Sequence, residues 1–118
     1  MMDIDLNADL GEGAGFDAEL MPLITSANVC CGLHAGGPVE IAQTLRLAAS
    51  HGTTIGAHPS YADREHFGRR EMTPGPDEVI SLCLYQLGAI AARKHSTPRQ
   101  ADDACALPRH RAKRSPRA

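Results

Sequence analysis

The segment HPSYADREHFGRR, residues 58–70, sets two imidazoles and three guanidinium groups behind a short apolar run. Imidazoles bind metals or move protons near neutral pH. Forked guanidinium donors hold carboxylate or phosphate. Partners for such chemistry occur upstream as Asp9, Glu12 and His34. Two histidines with one carboxylate, here His34, His58 and Asp9, form a common donor set for a divalent metal that keeps positions open for water. The same imidazoles could instead bond loop backbone, and no HExxH-type motif decides between the two. Arg64, Arg69 and Arg70 are candidate anion clamps, with surface pairing to Asp63, Glu65 and Glu71 as the alternative. Asn28 is polar inside an apolar run and must be hydrogen-bonded.

These residues need elements that bring them together. Ile4, Leu6 and Ala8 alternate with Asp5, Asn7 and Asp9, the period of a strand, and a glycine-rich turn follows at Gly11–Gly15. That turn reads GxGxG and does not meet the dinucleotide pattern GxGxxG. A short helical piece is expected over 17–22. Residues 23–33 carry little charge and read as a second strand buried on both faces. Pro38 suits the first position of a helix, with Ile41, Leu45 and Ala48 facing inward and His51-Gly52 ending it. Residues 53–57 form a third strand. After Pro74-Gly75-Pro76 a long helix is expected over 76–94, with Asp77 and Glu78 in its first turn and Arg93-Lys94 in its last, as the helix dipole prefers. Its core stripe is read as Ile80, Leu84, Leu87 and Ala91, and Gly88 as a place of close packing. Strand and helix alternate three times, which argues for an α/β fold with a parallel sheet. Ligands of such sheets lie beyond the carboxyl ends of the strands. Asp9 and Glu12, then His34, then His58 and Arg64, all fall just past those ends.

The 118 residues suffice for one small domain, poor in aromatic core-fillers, with two Phe, two Tyr and no Trp. Residues 1–94 hold six basic and twelve acidic groups, a net of −6, whereas 95–118 hold six basic and two acidic, a net of +4. The division is therefore a domain over 1–94 and a basic, proline-containing tail over 95–118, expected to be irregular or out of frame. The tail lacks aromatic residues to stack on bases, so no nucleic-acid partner is expected. No apolar run approaches the roughly 20 residues of a membrane span, and the acidic start does not resemble a secretory leader. Cys30 and Cys31 are neighbours whose side chains point to opposite faces of a strand, and they read as small buried packers. No CxxC spacing occurs. A reducing cytoplasm is the expected location.

Four stretches, DLNADLGEG at 5–13, LMPLITSANVCCGLHAG at 20–36, GAHPSYADREHFGRR at 56–70 and YQLGAIAA at 85–92, resemble the LamB/YcsF family of 5-oxoprolinase A subunits. The resemblance runs from Asp3 to about Arg93. It implies a (β/α) barrel of the deacetylase-like type, of which this chain would supply the first three β/α units, a partial barrel. It also implies ATP-dependent hydrolysis of 5-oxo-L-proline (pyroglutamate) to L-glutamate, with ATP as co-substrate and 5-oxoprolinase subunits B and C as partners. On the matching positions, Asp9, Glu12, His34 and His58 are the candidate catalytic residues. Asn7, Asn28, Arg64, Arg69 and Arg70 are the candidates for substrate or phosphate, and Asp9, His34 and His58 for a divalent metal. Two departures are visible. The family's HAGD reads His34-Ala35-Gly36-Gly37 here, which removes a carboxylate able to cap the next helix. Nothing after about Lys94 resembles the family, so activity is expected to be impaired by truncation. A metal-dependent amide or carbohydrate hydrolase, and a non-catalytic fragment that binds partner subunits, are the alternative readings.

Overall fold

The computed structural model describes residues 2–95. Three parallel strands, β1 (Asn7–Leu10), β2 (Ser26–Cys30) and β3 (Thr54–His58), lie side by side in the order β1-β2-β3. Between them run α1 (Asp17–Leu20), a turn of 3-10 helix (Met21–Leu23) and α2 (Pro38–His51), and α3 (Pro76–His95) follows β3. Within the described residues this is an α/β unit with a parallel sheet, as the alternation of elements requires. The expectations for the basic tail lie outside the described residues.

Register assigns the two faces of the sheet. Asn7 pairs with Ser26, Asp9 with Asn28, Asn28 with Gly56 and Cys30 with His58. Side chains alternate along each strand. Ala8, Leu10, Ala27, Val29, Ile55 and Ala57 therefore share the back face. They pack with Met21, Ile41, Leu45, Ala48 and Ile90 into the core. The front face carries Asn7, Asp9, Asn28, Cys30 and His58. One face is oily and anchored by helices; the other is polar and open.

Helix α2 follows its sequence closely. Pro38 opens it, Ile41, Leu45 and Ala48 are buried, and Gly52 closes it in the left-handed region at φ 66°, its N–H bonding the Ala48 and Ala49 carbonyls. This is the usual helix stop, where a side chain would be strained. Gly37 occupies the N-cap without a side-chain hydrogen bond, so the missing carboxylate of the HAGD pattern leaves that start uncapped.

Several expectations need correction. Pairing begins at Asn7, and Ile4 and Leu6 are exposed. Leu6 is tied instead through Thr25, whose Oγ accepts from the Leu6 amide at 2.8 Å. A period of two states which face a side chain takes, not how far the opposing layer extends. The second strand is shorter than 23–33, and its front face is only partly buried at Ser26 and Asn28. The largest correction concerns α3. Ile80, Leu84 and Leu87 are 56%, 65% and 47% exposed, while Gln86 and Ile90 are buried. The helix has two apolar sides, and the one offset toward Leu82, Gln86 and Ile90 meets the rest of the fold. A side chain added at Gly88 would meet none of the described residues within 4 Å, so no close packing among them occurs there.

Candidate functional site

Three loops leave the carboxyl ends of the strands and converge over the front face. The first, after β1, carries Glu12. Its position is set by Asp17, whose Oδ2 accepts from the Gly11 amide at 3.0 Å and from the buried Thr44 hydroxyl at 2.6 Å. The second loop, after β2, carries His34 and crosses the first so closely that a Cβ on Gly36 would collide with the Gly11 carbonyl oxygen. Gly36 also has φ 69°, so both space and conformation demand glycine there.

The third loop, after β3, is built around two buried polar side chains. Gln86 on α3 brackets Ser60, accepting from its amide and donating to its carbonyl, both at 2.9 Å. Asp63, 4% exposed, accepts from His66 Nδ1 at 3.2 Å and from the Arg70 amide at 3.3 Å, with the Arg70 guanidinium at 3.8 Å. Burial raises the Asp63 pKa, but the bonds from His66 and Arg70 and their positive charge outweigh it and hold the carboxyl below the usual value. Phe67 sits at φ 61°, a strained conformation for an aromatic residue that persists only where its surroundings hold it. Its ring stands edge-on to His34 at 5.6 Å.

The convergence is tight. Cys30 Sγ lies 3.5 Å from His34 Nε2, 3.8 Å from His58 Nδ1 and 3.8 Å from Glu12 Oε1. One donor atom from each of Glu12, Cys30, His34 and His58 falls within 4.8 Å of all the others. Asp9 Oδ1 is 3.8 Å from His58 Nδ1. Asn28 donates to Asn7 Oδ1 at 2.8 Å and to Asp9 Oδ1 at 3.4 Å, so its amide is hydrogen-bonded as required. Burial, then the negative charges of Glu12 and Asp9 and the neighbouring Cys31, push the Cys30 thiol up to about 12. Burial, followed by repulsion from His58 and Arg64, lowers the His34 pKa against an opposing pull from Asp9. Without a metal, both groups are neutral at physiological pH. Among the described residues, His34 Nδ1 is buried without a hydrogen-bond partner.

Among the sequence candidates, Asn7, Asp9, Glu12, Asn28, His34 and His58 are thus brought to one face. Arg64 reaches the same rim, its Nη1 donating to the Gly32 carbonyl at 2.7 Å. The Arg70 guanidinium lies 3.8 Å from Asp63, the pairing weighed as the alternative, and the side chain of Arg69 is exposed. Four contributors are not evident from sequence. Cys30 reads there as a packer, although its place two residues after Asn28 puts it on the polar face. Asp17, Asp63 and Gln86 act through tertiary contacts that no local pattern announces. Two surface grooves, of about 340 and 300 Å³, lie elsewhere, lined respectively by residues such as Asp17 and Thr44, and Ser60 and Gln86.

The pattern of the LamB/YcsF family matches residues 4–100, most of the chain. The chain belongs to the LamB/YcsF family. The match extends a little beyond Arg93, where the resemblance in sequence motifs ends. A relative in this family, the 5-oxoprolinase A subunit of Methylococcus capsulatus, is 56% identical, over 75% of this chain and 36% of its own length. The crystal structure of a lactam utilization protein from Thermus thermophilus superposes with a TM-score of 0.75 at 48% identity, covering 78% of this chain and 39% of that one. This LamB/YcsF chain therefore spans little more than a third of the length of either relative. No helix among its described residues is long and apolar enough to cross a membrane.

Proposed function

We propose that this chain carries the site face of a 5-oxoprolinase A subunit, which acts with subunits B and C in the cytoplasm to hydrolyse 5-oxo-L-proline to L-glutamate with consumption of ATP. The observation that supports it most is the 56% identity to a 5-oxoprolinase A subunit, joined to a sheet face where carboxylate, imidazole and guanidinium groups meet.

A lactam resists water because its nitrogen lone pair is delocalised into the carbonyl. Transfer of the γ-phosphoryl group of ATP to the lactam oxygen releases ADP and makes the ring carbon electrophilic. Water adds there, the ring C–N bond breaks as nitrogen takes a proton, and a second water releases phosphate from the acyl phosphate. Such a path needs a base for water and a cation near the phosphoryl oxygens. Glu12 and the Asp9–His58 pair supply the first. Arg64 supplies the second, held at the rim by the Gly32 carbonyl. Asn7 and Asn28 offer amides for the substrate's polar atoms.

The test co-expresses the full chain with subunits B and C and measures glutamate release from 5-oxoproline with and without ATP. ATP-dependent release is expected. Arg64→Ala is expected to lower kcat/KM by at least about tenfold, while its stability stays within about 0.5 kcal/mol, as for an exposed side chain. If the three chains copurify and no glutamate forms, the enzymatic reading fails and a binding role replaces it. A metal ion held between His34 and His58 with a coordination position open to water would favour a second reading, a metal-dependent amide or carbohydrate hydrolase. Hydrolysis that proceeds without ATP would select it.

A further inference from the structure

We propose that Glu12, Cys30, His34 and His58 form a tetrahedral zinc site that cross-links the carboxyl ends of the three strands. The donor set differs from the Asp9, His34 and His58 trio suggested by sequence, since it takes up a thiol and a different carboxylate.

Geometry carries the argument. Zn–S bonds of about 2.3 Å and Zn–N bonds of about 2.0–2.1 Å at tetrahedral angles place sulfur and nitrogen donors about 3.5 Å apart. Cys30 Sγ stands 3.5 Å from His34 Nε2 and 3.8 Å from His58 Nδ1. The carboxylate of Glu12 is 3.8 Å from the same sulfur. A single thiol proton can serve only one of these three neighbours, yet all of them stand near the edge length of a tetrahedron around a small ion. All four donors lie within 4.8 Å of one another, a spacing a zinc ion could draw in with small side-chain shifts.

The donor chemistry selects the ion. One thiolate and two neutral imidazoles are soft or borderline ligands, which suit zinc and not magnesium or calcium. On binding, the Cys30 thiol gives its proton to solvent. With the Glu12 carboxylate, the set then contributes two negative charges to a dication. Cys31 takes no part, because it lies on the opposite face and donates to the Val29 carbonyl. The ligands come from the β1 loop, the adjoining end and following loop of β2, and the end of β3, three segments distant in sequence. A metal would fasten them together.

The site shares Glu12 and His58 with the proposed hydrolytic machinery but is tested without turnover, so its failure and the failure of that reading are distinguishable. The full chain, stripped with chelator and dialysed against cobalt(II) chloride, is expected to hold one cobalt ion with the strong visible absorption of tetrahedral geometry. A thiolate-to-cobalt charge-transfer band in the near ultraviolet should accompany it. Cys30→Ser is expected to lose that band and at least about 100-fold in affinity, the upper end of what changes outside the ligand set produce, whereas Cys31→Ser keeps both. Glu12→Gln weakens binding with the thiolate band retained, and Asp9→Asn, which removes a carboxylate 3.8 Å from His58 Nδ1 but outside the ligand set, weakens it less than Glu12→Gln does. The proposal is overturned by failure to retain cobalt, by a weak octahedral spectrum, or by a charge-transfer band that survives Cys30→Ser. Loss of binding in Asp9→Asn but not in Glu12→Gln overturns it too, and this pair carries the test if Cys30→Ser does not fold by circular dichroism.

Discussion

The imidazole of His34 meets that of His58 edge-on, their ring centroids 4.9 Å apart and their planes inclined at 62°. One ring is delivered by the loop after β2 and the other by the last residue of β3. Their contact records how closely two strand ends must approach for the front face to act as one site. His34 is 2% exposed, and Phe67 covers it from the third loop.

His34 holds this place against the interest of stability. Its Nδ1 is buried without a partner among the described residues, and such an atom costs about 1–3 kcal/mol. In metal-free protein, His34→Leu is therefore expected to be as stable as the wild type or about 1 kcal/mol more so, because the apolar replacement has no polar atom to strand. Urea denaturation in chelator reads the effect. A loss above about 2 kcal/mol would show that the imidazole is a satisfied structural group after all.

Gln86 should behave in the opposite way. It supplies a donor and an acceptor to Ser60, two residues after His58. Gln86→Leu leaves both backbone groups of Ser60 unpaired, for an expected loss of about 1–3 kcal/mol. The third loop should loosen with it. Hydrogen exchange at the Ser60 and Gly68 amides would report that opening, and unchanged protection would count against the bracket.

Asp63 predicts an acid limb in the stability curve. Its folded pKa lies below the unfolded value of about 3.9, so its stabilising contribution is full above that value and is lost as pH falls through the lower folded one. The stability gap between wild type and Asp63→Asn should thus be widest near neutral pH and close as pH drops below about 3.9. Denaturation midpoints measured across that range would check it. A gap that widens on acidification contradicts the sign.

Helix α3 offers a test of which of its sides is core. Ile90 is 5% exposed and joins the main cluster, whereas Leu84 is 65% exposed. Ile90→Ala is expected to cost about 2–5 kcal/mol, and Leu84→Ser to stay within about 0.5 kcal/mol, as at other surface positions. Equal losses in thermal denaturation would mean that the outer stripe is covered in solution.

Much of this is legible from residue order. Strand–helix alternation is set by local periodicity, and a parallel sheet follows because each crossover must return the chain to the same end. The same logic places Asp9, Glu12, His34, His58 and Arg64 at one rim, and Pro38 and Gly52 mark both ends of α2. These signals are local: they depend on a few neighbouring residues and on backbone geometry. The choice between the two sides of α3 is not local. Ile80, Leu84 and Leu87 have the right spacing for a core stripe, but only the packed sheet decides which side it meets. Cys30 changes meaning for a similar reason, since strand register against Asn28 and His58 turns a small apolar residue into a neighbour of three polar donors. Arg64 and Arg70, alike in sequence, are separated by where their long side chains find acceptors, one at the Gly32 carbonyl and the other at Asp63. Sequence determines what each segment can do alone; contact between segments decides which of those possibilities is used, because burial and pairing energies exist only once the surfaces meet.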